Sequence, residues 1–240
     1  MNQIGQVLHT ISYMALPLML AMVFHEYAHG WVANHYGDAT ARLEGRLTLN
    51  PTAHIDPFGT VLLPLLCLIF PTGILLGYAK PVPVNLWNLR NPRRDMALVA
   101  AAGPGMNLLL AIASALLLSV ILAVDPSVAG SISARGSLIP RHDLIGMILV
   151  PLAWMSMYSV LINVVLMVFN LIPIPPLDGG RIMVNVLPAR QAEALSRLEP
   201  YGMMIIFVLV IADPQIHVFR SLVGPLVNTL TTTILSTFAL

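Results

Sequence analysis

The sequence predicts an all-α polytopic membrane protein with about five transmembrane helices, a re-entrant hairpin and a short β element near the active site. Three observations predict it. Of 240 residues, 57% are hydrophobic and only 10% charged, against roughly 25% charged in an ordinary soluble domain. Apolar runs lie at about residues 4 to 36, 57 to 78, 96 to 124 and 143 to 172, with a shorter pair at 201 to 212 and 221 to 240. A helix needs about 20 such residues to cross a ~30 Å hydrocarbon core. The polar stretches between runs are too short to house a soluble domain, the loop from Asp125 to Asp143 included. One domain therefore accounts for residues 1–240, with a core over 4–188 and C-terminal helices over 200–240.

The first run lacks the basic start and small-residue cleavage site of a signal peptide, so it is expected to stay as a helix. Between it and the second run, Leu43, Gly45, Leu47 and Leu49 alternate with Arg42, Glu44, Arg46, Thr48 and Asn50. A period of two predicts a strand over 41–51. The second run is interrupted by Phe70-Pro71-Thr72-Gly73, a turn signal, so a hairpin over 57–78 competes with a spanning helix.

Charge decides between them. All twelve Lys and Arg lie at or beyond Arg42, which puts the N-terminus outside by the positive-inside rule. With a hairpin, only Arg135, Arg141 and Arg220 fall outside; with a span, the twelve split seven to five, almost no bias. The hairpin also keeps Asp178 on the membrane side that carries the histidines of the first run.

Lys80-Pro81-Val82-Pro83-Val84-Asn85 is confined by its prolines to an edge strand or an extended loop, and Trp87 beside it is a plausible interface anchor. The polar stretch from Ala189 to Glu199 predicts a surface helix. In the C-terminal pair, Asp213 and Pro214 predict a turn after a tilted crossing.

Net charge is +1, and no basic patch would recruit nucleic acid. The single cysteine, Cys67, excludes an internal disulfide and a cysteine-rich metal cluster.

His25, Glu26 and His29 form an H-E-x-x-H set inside the first run. On a helix, His25 and His29 share a face about 6 Å apart at Cβ, suited to two imidazoles on one zinc, and Glu26 reaches a water on that metal. Neutral imidazoles hold zinc without cancelling its charge, and a carboxylate takes the proton. HEYAH is otherwise an ordinary helical turn, but ionisable groups at membrane depth are costly and usually functional. The block from Phe169 to Gly180, NLIPIPPLDGG at its centre, breaks the fourth run with prolines and presents Asp178. Irregular backbone at that depth needs a cavity to line, which makes Asp178 the natural third ligand; alternatively it caps a helix opening at Gly179-Gly180.

HEYAHG, the AAGPGMN segment at 101–107 and NLIPIPPLDGG together resemble the site-2 protease family (peptidase M50), intramembrane zinc metalloproteases, in order and spacing. The segment from Leu49 to Thr60 resembles a compact prokaryotic branch without a PDZ domain. The resemblance implies that His25, His29 and Asp178 ligate one Zn2+ per chain and that Glu26 is the catalytic base. It places the site towards the cytoplasmic side of a multi-pass protein of the cell membrane. Asn170 resembles a family asparagine that hydrogen-bonds the substrate carbonyl or oxyanion, with helix packing as the alternative. His54 is a candidate donor to a tetrahedral intermediate, a resting metal ligand, or a cap. His35 and Asp38 are expected at the solvated surface, Asn107 is expected to hydrogen-bond across helices, and Gly103 and Gly105 to allow close approach of their helix to its neighbours. The implied function is hydrolysis of a peptide bond in or near a transmembrane helix of a membrane-protein substrate within the lipid bilayer. The rivals are a zinc transporter or metal-binding membrane protein, for which the run at 96–124 offers almost no polar path, and an inactive binder of transmembrane helices.

Overall fold

Hydrocarbon offers no partner for a bare N–H or C=O, so apolar runs that enter it must close their own hydrogen bonds as helices. The structure, a computed structural model, describes residues 3–62, 77–133, 143–217 and 219–239. In chain order its α-helices are α1 (Gln3–His35), α2 (Thr40–Leu43), α3 (Pro92–Val124), α4 (Val128–Ser133), α5 (Leu144–Asn170), α6 (Asp178–Val186), α7 (Ala189–Ser196), α8 (Glu199–Ile216) and α9 (Gly224–Phe238). Among the described residues, four segments are long and apolar enough to cross a membrane: Thr10–His35, Pro92–Val124, Leu144–Asn170 and Glu199–Ile216. The chain is thus a multi-pass, helical membrane protein. The last expected crossing corresponds to α9, of 15 residues, which continues directly from a π-helical turn at Phe219–Val223.

Two compact units are formed. Met1–Ala21, Leu108–Val165 and Val227–Leu240 make the first, whose core joins Leu118, Ile121, Val128, Ile132, Val150 and Ala153. A Ser114 hydroxyl donating to Ser159 at 2.7 Å ties α3 to α5 there. Leu109, Leu117, Val120, Ile145 and Ile148 are exposed, as lipid-facing side chains should be. Met22–Asn107 and Leu166–Leu226 make the second unit, which holds every residue singled out above for chemistry.

The expected strand over 41–51 is not formed. Asp38 accepts the Thr40 N–H and hydroxyl, seeding the helical turn of α2, and Gly45 at φ 67° reverses the chain after it. Leu43 and Leu49 are exposed, so the alternation does not mark a buried sheet face. Residues 80–85 are extended but unpaired; among the described residues there is no strand. The turn expected at Asp213-Pro214 gives way to a helix that continues to Ile216 and stops at His217, φ 57°. A proline so near a helix end forfeits little of the ladder, and Asp213 is buried within it.

Most of the expected hairpin, residues 63–76, lies outside the described residues. Its two flanks meet: Tyr78 N–H donates to Gly59 O (3.0 Å) and Lys80 N–H to His54 O (2.8 Å), while the Thr60 hydroxyl donates to Tyr78 O (2.9 Å).

Asp38 anchors the extended segment to the end of α1 and is buried, not solvated as its position suggested. Its carboxylate also accepts the Asn85 N–H at 2.6 Å and the Asn88 side-chain amide at 3.0 Å. Burial pushes its pKa up, but the hydrogen bonds from Thr40, Asn88 and Asn85 outweigh that and hold it below the ordinary carboxylate value. A depressed folded pKa contributes stability above the unfolded pKa, about 3.9, that is lost as pH falls through the folded value. Asp38→Asn, which turns an amide donor on this cluster of donors, is expected to cost about 1–3 kcal/mol at neutral pH. Thermal unfolding in detergent checks this, and the gap between variant and parent should narrow on acidification below about pH 4.

Candidate metal centre

The HEYAH turn lies on α1, where the four-residue spacing brings both imidazoles to one face. What fixes the rings is not on α1. His25 Nδ1–H donates to Asn107 Oδ1 at 2.6 Å, and His29 Nδ1–H donates to the Val99 carbonyl at 2.7 Å; both acceptors belong to α3. With each Nδ1 proton engaged, both Nε2 atoms carry lone pairs, and they face each other 3.0 Å apart. Gly103 of α3 makes this approach possible. A Cβ there would collide with His29 Nε2 and lie 2.5 Å from His25 Cε1.

The third arm comes from the proline-rich turn after α5. Residues 171–177 are irregular, Pro175-Pro176 is cis, and α6 opens at Asp178. Gly179 and Gly180 let that opening turn lie on the Leu171 and Pro175 backbone, where a Cβ would clash. Asp178 thereby reaches His25 Nε2 at 3.2 Å through Oδ2 and His29 Nε2 at 3.4 Å through Oδ1. All three side chains are buried.

These atoms suit a metal. A tetrahedral ion with ligands about 2.0–2.2 Å away spaces them about 3.3–3.6 Å apart, close to the three separations found. All three are acceptors with no donor among them, and Asp178 Oδ2 is buried without a hydrogen-bond partner. A cation answers both facts, and two imidazoles with one carboxylate are a common zinc set with an open fourth position.

Beside the cluster, Glu26 lines a cavity with His25, Tyr78, Asn170 and Leu177. Its Oε2 accepts the Val82 N–H at 2.8 Å, which orients the carboxylate. Asn170 lies on the same wall, its side-chain amide donating to Leu166 O at 3.0 Å. His54 is not brought to the cluster or to this cavity; it is buried, with Nε2–H donating to Thr48 O at 2.8 Å. His35 is exposed and stacks on Trp31. Gly105 has nothing within 4 Å of where a Cβ would stand. Asn107, expected from sequence to hydrogen-bond across helices, does so, and the partner it meets is a histidine of the HEYAH turn, whose ring it sets.

Fold and cluster together define a multi-pass membrane protein with a candidate metal site on a helix of membrane-crossing length. The profile of Peptidase family M50 matches residues 13–213, so the chain belongs to that family, the one its motifs resemble, and is a zinc metalloprotease. "Putative zinc metalloprotease YwhC" of Bacillus subtilis is 36% identical over 202 residues, covering 84% of this chain and 81% of that protein. "Putative zinc metalloprotease Rip2" of Mycobacterium tuberculosis is 27% identical over 214 residues, covering 87% of this chain and 72% of that one. No solved structure matches.

Gly103→Ala should lose most of its bound metal while Gly105→Ala keeps it, as metal analysis of the two purified proteins will read. Asn107→Ala should weaken metal binding about 10–100-fold in chelator competition, the usual cost of removing a ligand's hydrogen-bond partner.

Proposed function

We propose that the chain is an intramembrane zinc endopeptidase that hydrolyses a peptide bond in or near a transmembrane helix of a membrane-protein substrate, with His25, His29 and Asp178 holding one zinc per chain. The observation that carries this reading is the placement of Glu26. It stands one residue from a ligand, on a membrane-length helix, facing a cavity shared with His25 and Asn170. When bound, zinc supplies a Lewis acid that polarises a carbonyl and acidifies water.

Glu26 takes the proton from the attacking water and returns it to the leaving amine. The Val82 N–H, bound to one of its oxygens, fixes the direction of the other. Asn170 donates to the substrate carbonyl as negative charge develops there, a role amides fill. His54 holds the turn from Thr48 and takes no part in the chemistry.

A helical substrate hides its carbonyls in its own hydrogen bonds, so it must be held extended to react. Residues 80–85 offer an edge for this. Val82 and Val84 border the cavity, and the Val84 N–H and the carbonyls of both have no partner among the described residues. Strand addition there creates a β element, which is absent among the described residues. The meeting of Gly59 with Tyr78, together with the distribution of Lys and Arg, supports a site on the cytoplasmic side and an N-terminus outside.

Glu26→Gln leaves the ligands but removes the base. Cleavage of a membrane-embedded reporter by the purified variant should fall about 10²–10⁴-fold with zinc content unchanged; undiminished cleavage sinks the mechanism.

A further inference from the structure

The cavity beside the metal centre has two lobes that share His25, Glu26, Tyr78 and Asn170 in their walls. One continues between Met22, Leu166, Phe169, Ile206 and Phe207 and is apolar throughout. The other passes Asp178 and Val82 and ends at Arg181.

Arg181 carries a guanidinium and stands half-buried in the wall of this lobe. Its natural partner is Asp178, three residues earlier on α6, but that carboxylate is turned to the histidines. The other carboxylate of the lobe, Glu26, is taken by the Val82 N–H. Only the Arg181 backbone is engaged among the described residues, its N–H donating to Leu177 O and its carbonyl accepting from Asn185. The guanidinium has no hydrogen-bond or ion-pair partner among the described residues, in a side chain that lines the lobe. A partly desolvated cation kept unpaired in a substrate cavity is a binding site for an anion, and the fork of a guanidinium matches a carboxylate.

We propose that Arg181 binds a carboxylate of the substrate, so that the protease favours substrates with a large apolar residue on one side of the scissile bond and an acidic residue, or a free C-terminus, on the other. This rests on the proteolytic reading above. The two lobes make the preference asymmetric: acid and large apolar residue belong on opposite sides.

The test uses full-length protein and synthetic transmembrane peptides carrying Phe on one side of a central helix-breaking stretch. On the other side stands Glu or Gln, placed in turn at the nearest positions, with the peptides made in both chain directions. Binding is measured on the Glu26→Gln protein, which does not consume the peptide. In one direction, the Glu peptide should bind about tenfold more tightly than its Gln twin, the worth of one charged hydrogen-bonded contact. The ratio should fall to about one in Arg181→Gln, recover in Arg181→Lys, and favour a Lys peptide in Arg181→Glu, with zinc content unchanged throughout. Free and amidated C-termini on the Gln peptides separate a terminal carboxylate from a side-chain one. Equal binding of Glu and Gln peptides by the Arg181 protein, a preference that survives Arg181→Gln, or an acid preference on the same side as Phe would each overturn the proposal. Failure of the Glu26 protein to cleave peptides that the Glu26→Gln protein binds would overturn the proteolytic reading instead.

Discussion

The Nε2 atoms of His25 and His29 face each other at 3.0 Å, and the two carboxylate oxygens of Asp178 lie against them, Oδ2 3.2 Å from His25 and Oδ1 3.4 Å from His29, with no donor among them. In a buried site this convergence is repulsive on its own, because lone pairs and a carboxylate face one another where little water screens them. A dication reverses the sign of every one of those interactions. Much of the second unit serves to impose the arrangement: Asn107 and Val99 turn the rings, Gly103 admits α3 against them, and Gly179-Gly180 fold the start of α6 onto the proline turn. The site is thus set by two parts of the chain distant from the HEYAH turn, and each acts through backbone approach or a buried hydrogen bond.

The same construction separates binding from chemistry. Glu26 lies beside the ligand set but belongs to a different network, since its carboxylate is bound by the Val82 N–H of the extended segment. That segment is fixed in turn by Asp38 through Asn85 and by the Arg46 guanidinium through Lys80 O at 2.8 Å. The base, the edge available to an extended peptide and the end of α1 therefore form one connected frame. A substrate paired with residues 80–85, as proposed above, would lie beside the Glu26 carboxylate, which gives proximity without a moving part.

Much of this was legible in the chain. The composition forced helices because hydrocarbon tolerates little else, and HEYAH placed two imidazoles on one face by helical geometry alone. The prolines before Asp178 announced irregular backbone that only a cavity excuses. What was hidden depends on contacts between distant segments. The alternation over 41–51 resembles a strand, yet Asp38 captures Thr40 and turns the chain into a helical loop whose leucines stay exposed. Asp213-Pro214 looks like a stop, but a helix near its end gives up little to a proline. Asn107 could be seen as polar on an apolar helix, but whether it met a histidine or another helix depended on the rotation of α3, which no local pattern fixes. His54 drew attention because no later histidine lies near a motif, and the fold bonds it to the Thr48 carbonyl.

The most direct measurement is zinc K-edge X-ray absorption on the full-length protein purified in detergent. The account predicts a single zinc with two imidazole nitrogens and carboxylate or water oxygen at about 2.0–2.2 Å, and loss of the oxygen-plus-imidazole pattern when Asp178 is replaced by Ala. A zinc shell that contains a third imidazole or sulfur, or one that is unchanged in Asp178→Ala, would contradict it.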